Sequence, residues 1–144
     1  MPHSCEDFIG AWSLGDWRIE YADGAVTRPF GAGAQGYIVY APNGIMTATI
    51  CKAGRTNFGI ANARNATIEQ KAAAFDSYFH YAGPWHLDGD HVVHAVTMSL
   101  NPDMAGTDQR RLAVFDRTGG LTLSALEATS SGSRHHILQW QRSA

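Results

Sequence analysis

One segment decides the fold of this chain, and it reads Gly36-Tyr37-Ile38-Val39-Tyr40-Ala41-Pro42-Asn43-Gly44-Ile45-Met46-Thr47-Ala48-Thr49-Ile50. On both sides of Asn43-Gly44 the residues are mostly β-branched or aromatic, which is typical of strands. An Asn-Gly pair favours the tight turn of a β-hairpin, because glycine adopts positive φ without a steric cost. The segment therefore predicts two antiparallel strands joined by a short turn.

The same pattern recurs along the chain. Strand-like residues flank three more turn pairs, Asp23-Gly24, Asp88-Gly89 and Gly119-Gly120, and a last strand is predicted at His135–Trp140. Eight or more short strands joined by tight turns are typical of an antiparallel meander, which protects its edges by closing. We therefore predict an all-β fold, a single antiparallel up-and-down β-barrel of about eight or more strands, with residues 1–144 as one domain.

One helix is predicted within the meander. Thr67-Ile68-Glu69-Gln70 has the pattern of a capping box, in which Thr67 and Gln70 satisfy free backbone groups at the start of a helix. Apolar residues then recur at helical spacing, so we predict a short helix over residues 68–79 whose apolar face packs on one end of the barrel. The glycine- and asparagine-rich segment before it, Lys52–Asn65, is predicted to be a loop that gates the barrel mouth.

Charge and composition exclude several classes of protein. The chain has 11 Lys and Arg against 13 Asp and Glu, a net charge of −2, which does not suit a nucleic-acid partner. No apolar run reaches the roughly 18 residues of a membrane span, and the first residues lack the features of a secretion signal. Cys5 and Cys51 are too few for a disulfide framework, so we expect reduced thiols in a cytoplasmic protein.

Motifs for metal or cofactor chemistry do not occur in the sequence. The neighbours His135 and His136 point to opposite faces of a strand, which does not suit a shared metal ion. Gly31-Ala32-Gly33-Ala34-Gln35-Gly36 has the letters of a dinucleotide loop but precedes a strand instead of opening a helix. We therefore expect no metal and no cofactor.

Alternation along the strands predicts which side chains point into the barrel. In the strand His91–Met98, His94 shares a mostly apolar face with Val92, Val96 and Met98 and is therefore predicted to point inward. The same reasoning gives three further inward sets: His136, Leu138 and Trp140; Tyr81, Trp85 and Leu87; and Met46, Ala48 and Ile50.

Two strands remain ambiguous. Between Gly36 and Tyr40, either Ile38 and Tyr40 or Tyr37 and Val39 face the interior. Either Arg110 or Arg111 faces the cavity, because Arg110 alternates with Leu112 and Val114 whereas Arg111 alternates with Ala113 and Phe115.

The opening Gly10-Ala11-Trp12-Ser13-Leu14 resembles the G-x-W-x-L opening of lipocalin-like proteins. The chain more specifically resembles the small bacterial and fungal lipocalin-like domain family. The resemblance implies an up-and-down barrel with an internal cavity, and it leaves the ligand open. The other segments that carry it are Arg28-Pro29-Phe30-Gly31, Gly36–Met46, Ala73–Gly83, Val93–Pro102, Gly106–Arg111 and Leu138-Gln139-Trp140.

The function expected from these residues is cofactor-independent acid–base catalysis, of the isomerase, cyclase, dehydratase or lyase type, on a small hydrophobic or aromatic metabolite. Histidine suits such chemistry at neutral pH. We predict catalytic roles for His94, Tyr81 and Arg110, and ligand-binding roles for Tyr40, Trp85, Met46, Arg111, His136, Trp140 and Tyr78.

Two alternatives remain open at the level of the sequence. Instead of an enzyme, the protein is a non-catalytic carrier of a small hydrophobic ligand in the first alternative, and an interaction module whose barrel is packed solid in the second. The sequence also leaves the oligomeric state open, a homodimer included.

Overall fold

The computed structural model describes residues 3–143, and most of them lie in β-strands. The strands are β1 (Gly10–Tyr21), β2 (Val26–Thr27), β3 (Gln35–Tyr40), β4 (Ile45–Cys51), β5 (Tyr78–Asp88), β6 (His91–Ala95), β7 (Met98–Ser99), β8 (Asp108–Phe115), β9 (Gly120–Thr129) and β10 (Gly132–Arg142). The helices are α1 (Cys5–Phe8) and α2 (Ile68–Asp76), with 3-10 turns at Ala63–Asn65 and Pro102–Met104.

Eight of these strands close into an antiparallel barrel, as the sequence predicts. The ring runs β1, β3, β4, β5, β6, β8, β9 and β10, and it closes because β10 also pairs with β1. Trp17 of β1, for example, lies opposite Leu138 of β10. The two extra strands, β2 and β7, pair with β1 and β5.

All four predicted hairpin turns are present. The glycine at each turn (Gly24, Gly44, Gly89 and Gly119) has positive φ, the conformation that makes glycine the preferred residue there. A further hairpin joins β9 to β10, with Thr129 opposite Gly132, and it extends the last strand beyond the predicted start at His135.

A β-bulge in β1 changes which residues face inward. Trp12 and Leu14 pack into the core, the register shifts between Leu14 and Asp16, and Trp17 and Ile19 then take the inward positions. A bulge inserts one residue and so reverses the alternation beyond it. The bulge thus brings a second tryptophan of this strand to the interior.

The strand predicted over His91–Met98 ends earlier than expected. Regular pairing in β6 stops at Ala95, and Met98, predicted to point inward, is 63% exposed. The chain passes so close to β5 at this point that a Cβ on Gly83 would lie 2.0 Å from the carbonyl oxygen of Ala95. This close approach to β5 ends the regular strand, so inward and outward side chains no longer alternate beyond Ala95, as the prediction had assumed.

Helix α2 starts where predicted but packs differently. Both capping-box hydrogen bonds between Thr67 and Gln70 are present. The predicted apolar face is wrong, because Ile68 is 83% exposed, Phe75 is 48% exposed, and the helix ends at Asp76. Phe79 belongs instead to β5 and points into the barrel.

One end of the barrel is closed by a helical turn that the sequence analysis did not predict. Phe8 of α1 is completely buried, with its ring 5.0 to 5.9 Å from the rings of Tyr40, Trp85 and Phe115. The indole N–H of Trp12 donates a hydrogen bond to the carbonyl of Phe8 over 2.8 Å. This aromatic cluster forms the floor of the barrel interior.

The segment Lys52–Asn65 is mostly loop, as predicted, but it does not line the barrel interior. Its first half packs beside α2, where Arg55 donates hydrogen bonds to Ser77 and Ala74. The 3-10 turn Pro102–Met104 contributes Met104 to the cavity wall instead. None of the helices within residues 3–143 is long and apolar enough to cross a membrane.

Candidate functional site

The barrel encloses a cavity of about 400 Å³. It lies above the aromatic floor and extends to the end of the barrel where β9 turns into β10. Its walls are mainly apolar, with polar groups at two positions, one near the floor and one near the mouth. The apolar residues lining it are Trp17, Ile38, Ala48, Ile50, Phe79, Met104, Leu123, Ala125, Leu126, Leu138 and Trp140.

The polar group near the floor is centred on His94, which is 1% exposed. The hydroxyl of Tyr40 on β3 lies 2.7 Å from its Nε2, and the hydroxyl of Tyr81 on β5 lies 2.6 Å from its Nδ1. Tyr81 and His94 line the cavity, whereas Tyr40 lies behind the wall. Both ring nitrogens of His94 are therefore already engaged by protein hydroxyls.

Burial determines the charge states of these three groups. It lowers the pKa of His94 to about 3, assisted by the positive charge of Arg111, so the imidazole is neutral at physiological pH. Burial raises the pKa of Tyr40 well above its usual value. It also raises the pKa of Tyr81, although the Arg111 guanidinium opposes that rise. His94 consequently does not serve as a cationic proton donor.

Arg111 is the arginine of β8 that faces the cavity. Its Nη2 donates to Oε1 of Gln109 over 3.3 Å and its Nη1 donates to the carbonyl of Arg110 over 3.2 Å. Gln109 in turn donates to Oγ1 of Thr107 over 2.8 Å. Among residues 3–143, no carboxylate lies within 4 Å of the Arg111 guanidinium, so its charge has no protein counterion.

Arg110 lies on the outside of the barrel. It forms an ion pair with Asp88, and this partner lowers the pKa of the Asp88 carboxyl. Alternation along β8 gives the reason, since Ala113 is buried on the same face as Arg111 while Val114 is exposed on the same face as Arg110. The structure therefore does not bring Arg110, predicted to be catalytic, to the cavity, and Arg111 is the arginine that lies there.

Besides Tyr40, which lies behind the wall, three predicted ligand-binding residues lie away from the cavity. Met46 and Trp85 are buried in the core near the closed end, and they shape the floor without lining the cavity. Tyr78 begins β5 at the opposite end, where the Arg55 guanidinium stacks 5.0 Å from its ring centroid. The structure therefore does not bring these three side chains into the lining of the cavity.

The polar group near the mouth contains His136 and Glu127. Nε2 of His136 lies 3.8 Å from Oε2 of Glu127, and Arg134 forms an ion pair with the same carboxylate. Burial lowers the pKa of His136, while the negative charge of Glu127 opposes that change. The predicted site residues His136 and Trp140 both line the cavity.

Two indole N–H groups in the wall lack hydrogen-bond partners. Nε1 of Trp17 and Nε1 of Trp140 are buried and find no acceptor within residues 3–143. A buried donor without an acceptor is uncommon in folded proteins. Both tryptophans line the cavity, so its wall contains two donors that no group of residues 3–143 satisfies.

Sequence reasoning missed several residues of the site. Gln109 is two positions before Arg111 on the same strand, so it follows once the inward arginine is known. Trp17 was hidden by the bulge in β1, and Phe79 was assigned to the helix. Met104 comes from an irregular segment and carries no periodic signal.

Within the described residues, no group of three or more His, Cys, Asp or Glu side chains is placed to hold a metal ion. Cys5 and Cys51 are both free thiols. The ionisable side chains that line the cavity are Tyr81, Arg111, His94, His136 and Glu127.

Comparison with known proteins identifies the family. The sequence model described as "Lipocalin-like domain" matches residues 9–143. A search of curated proteins gave no match. A similar solved structure is an uncharacterized protein from Bacteroides eggerthii DSM 20697, with 12% identity, a TM-score of 0.43, and coverage of 92% of this chain and 98% of that chain. The family match spans nearly the whole chain, and the chain belongs to the lipocalin-like domain family.

Proposed function

We propose that this protein binds a small hydrophobic molecule inside the barrel and acts on it by cofactor-free acid–base chemistry. One observation carries the proposal: the otherwise apolar cavity contains, near its floor, the group formed by Tyr81, His94 and Arg111. Pockets for small molecules commonly combine apolar walls with a few converging polar groups. The volume of about 400 Å³ is also within the usual range of such pockets.

Apolar walls supply affinity for the body of the ligand. Leu123, Phe79 and Trp140 line the cavity, and a ligand that covers them removes apolar surface from water. Every Å² of apolar surface removed contributes roughly 25 cal/mol, before the entropic cost of binding.

The polar group near the floor supplies the chemistry. Tyr81 and Arg111 are hydrogen-bond donors next to each other, and Arg111 adds a positive charge. Donors placed around an oxygen that gains negative charge lower the barrier to enolisation, cyclisation or elimination. The proton acceptors that line the cavity are His136 and Glu127 at the other end.

A non-catalytic carrier is the second candidate, and one observation favours it. Both nitrogens of His94 are occupied by Tyr40 and Tyr81, so the histidine expected to perform catalysis has no free ring nitrogen to exchange a proton with a ligand. The third possibility was an interaction module whose barrel is packed solid. The cavity inside the barrel does not support it.

Native mass spectrometry of freshly purified protein tests the binding proposal. Ala125→Trp fills the cavity, whereas Ala128→Trp places the same side chain on an exposed position of the same strand. We expect a co-purified small molecule on the wild type and on Ala128→Trp, and its loss from Ala125→Trp. Retention of the molecule by Ala125→Trp would contradict binding inside the barrel.

The fate of the bound molecule separates enzyme from carrier. Pure protein is incubated with the molecule that the mass identifies, and the products are analysed by liquid chromatography and mass spectrometry. An enzyme changes the molecule, and Tyr81→Phe slows that change. Recovery of the molecule unchanged would support the carrier.

A further inference from the structure

The direction of the hydrogen bonds around His94 determines what the cavity offers to a ligand. A neutral imidazole has one N–H donor and one acceptor nitrogen. Its two nitrogens face the hydroxyls of Tyr40 and Tyr81, so one tyrosine donates to the ring and the other accepts from it. Which tyrosine donates follows from what else each hydroxyl can reach.

Tyr40 is the tyrosine that donates. Its side chain is completely buried, and within residues 3–143 its hydroxyl has no hydrogen-bond partner except Nε2 of His94. If Nε2 carried the proton, the Tyr40 hydroxyl proton would be buried without an acceptor, which is strongly unfavourable. Tyr40 O–H therefore donates to Nε2, and Nδ1 of His94 carries the ring proton.

It follows that Tyr81 keeps its own proton for the cavity. Nδ1–H of His94 donates to the Tyr81 oxygen over 2.6 Å, which leaves the Tyr81 O–H free to donate elsewhere. A hydroxyl that accepts one hydrogen bond becomes a stronger donor in the next, because chained hydrogen bonds polarise one another. The buried series of hydrogen bonds from Tyr40 through His94 thus ends at the Tyr81 hydroxyl, which is a strengthened donor on the cavity wall.

Arg111 adds charge at the same place. Its side chain lines the same cavity as Tyr81, its positive charge opposes the rise that burial gives to the pKa of that hydroxyl, and it has no carboxylate partner in the described part of the chain. The carboxylate that does line the cavity, Glu127, is at the mouth and is engaged by Arg134. A charged guanidinium facing a cavity without a counterion favours an anionic partner.

From this arrangement we infer that the natural ligand is a hydrophobic oxyanion, a carboxylate, enolate or phenolate whose oxygen accepts hydrogen bonds from Tyr81 and Arg111. The inference rests on the proposed function, because it specifies the ligand of the same cavity. Tyr40 and His94 act as positioning residues, since they orient the Tyr81 hydroxyl and have no polar atom left to bond the ligand themselves. A carbonyl compound that forms an enolate would be bound most tightly at the moment its oxygen becomes negative.

Three probes of one shape and different charge test the inference. Naphthoate, methylnaphthalene and naphthylmethylammonium are compared by their ability to displace the neutral fluorescent probe phenylnaphthylamine from the protein. We expect naphthoate to bind about tenfold more tightly than methylnaphthalene, and the ammonium compound to bind most weakly.

Neighbouring residues provide matched variants. Arg111→Met and Tyr81→Phe are expected to reduce the preference for naphthoate over methylnaphthalene, measured as the ratio of the two affinities in each variant, to about threefold or less. Arg111→Lys keeps the charge and is expected to retain part of the preference. Arg110→Met removes the adjacent, outward arginine and is expected to retain all of it. Thermal unfolding of each variant verifies that it folds.

Two results would overturn the inference. Equal affinity for the three probes, or tightest binding of the ammonium compound, would show that the cavity does not select anions. If both Arg111→Met and Tyr81→Phe kept the full preference for naphthoate, groups other than Arg111 and Tyr81 would be responsible for selecting anions. In either case the proposed function would still stand if the wild type bound methylnaphthalene and Ala125→Trp did not, because that result places an apolar ligand inside the barrel. Failure of all three probes to bind would contradict both the proposed function and this inference.

Discussion

The hydroxyl of Tyr81 lies 2.6 Å from Nδ1 of His94 on the cavity wall of the barrel. Since Tyr40 occupies the other ring nitrogen, the histidine is held between two tyrosines, and of these two tyrosines only Tyr81 lines the cavity. The tyrosine is therefore the group that meets a ligand, and the histidine sets the direction in which its hydroxyl points. This relationship determines the first two predictions.

The protonation state of His94 is directly observable by NMR. We expect its ring-nitrogen chemical shifts to show a neutral ring with the proton on Nδ1, because Tyr40 has no other acceptor. The ring should also keep this state from neutral pH down to about pH 5, since burial lowers its pKa to about 3. A proton on Nε2 would reverse the direction of the hydrogen bonds between Tyr40, His94 and Tyr81, and it would contradict the assignment of Tyr81 as a free donor.

Stability should fall as the solution becomes acidic. The pKa of His94 is about 3 in the folded protein against an ordinary 6.5, so the unfolded chain binds more protons between these values. The stability that His94 contributes as a neutral, buried side chain is therefore fully present above pH 6.5, and it is lost as the pH falls toward 3. Burial lowers the pKa of His136 as well, which acts in the same sense.

Denaturant unfolding between pH 7 and about pH 4 measures this effect. One such group gives a slope of up to about 1.4 kcal/mol per pH unit. We expect the slope to be smaller in His94→Gln than in the wild type, and to be unchanged in His86→Gln, which removes an exposed histidine. Equal slopes in His94→Gln and the wild type would show that His94 is not protonated on unfolding.

The aromatic floor should be a main source of stability. Phe8 is fully buried among Tyr40, Trp85 and Phe115, and replacement by alanine should lower the free energy of unfolding by about 3–5 kcal/mol. Phe75→Ala on α2 is the matched control, because half of that side chain is exposed, and its effect should be within about 1 kcal/mol. Urea denaturation compares the two, and similar losses would mean that α1 does not seal the barrel.

The crossing of the chain over β5 requires glycine at position 83. A methyl group there would lie 2.0 Å from the carbonyl oxygen of Ala95 and 2.9 Å from the amide nitrogen of Thr97, both backbone atoms. Gly83→Ala should therefore destabilise the protein by about 3 kcal/mol or more. At Gly33 an added methyl would meet only the Ala53 side chain, at 3.3 Å, so Gly33→Ala should cost much less. Comparable melting temperatures for the two variants would contradict this close approach.

Local patterns predicted most of the fold correctly. The turn at Asn43-Gly44 and its three counterparts depend on residues next to each other, so the sequence contains all the information that a hairpin needs. Strand alternation likewise placed His94, His136 and Trp140 on inward faces, and the structure has all three lining the cavity.

Expectations that depended on distant contacts were less successful. Alternation alone could not choose between Arg110 and Arg111, because the choice depends on how β8 sits in the closed sheet. The bulge in β1 reversed the facing of Trp17, and the spacing of Ile68 and Phe75 suggested a packing face that nothing in the barrel covers. Helical periodicity shows which residues share a face, but tertiary structure decides whether that face is buried.

The most direct test of a ligand site inside the barrel is a titration with phenylnaphthylamine, whose fluorescence increases in an apolar environment. Trp17 and Trp140 line the cavity, so their emission provides a second, independent signal of occupancy. We expect saturable binding at one site in the wild type and in Ala128→Trp, and no binding in folded Ala125→Trp. Equal binding by all three proteins would show that the probe binds elsewhere and would contradict the barrel as the ligand site.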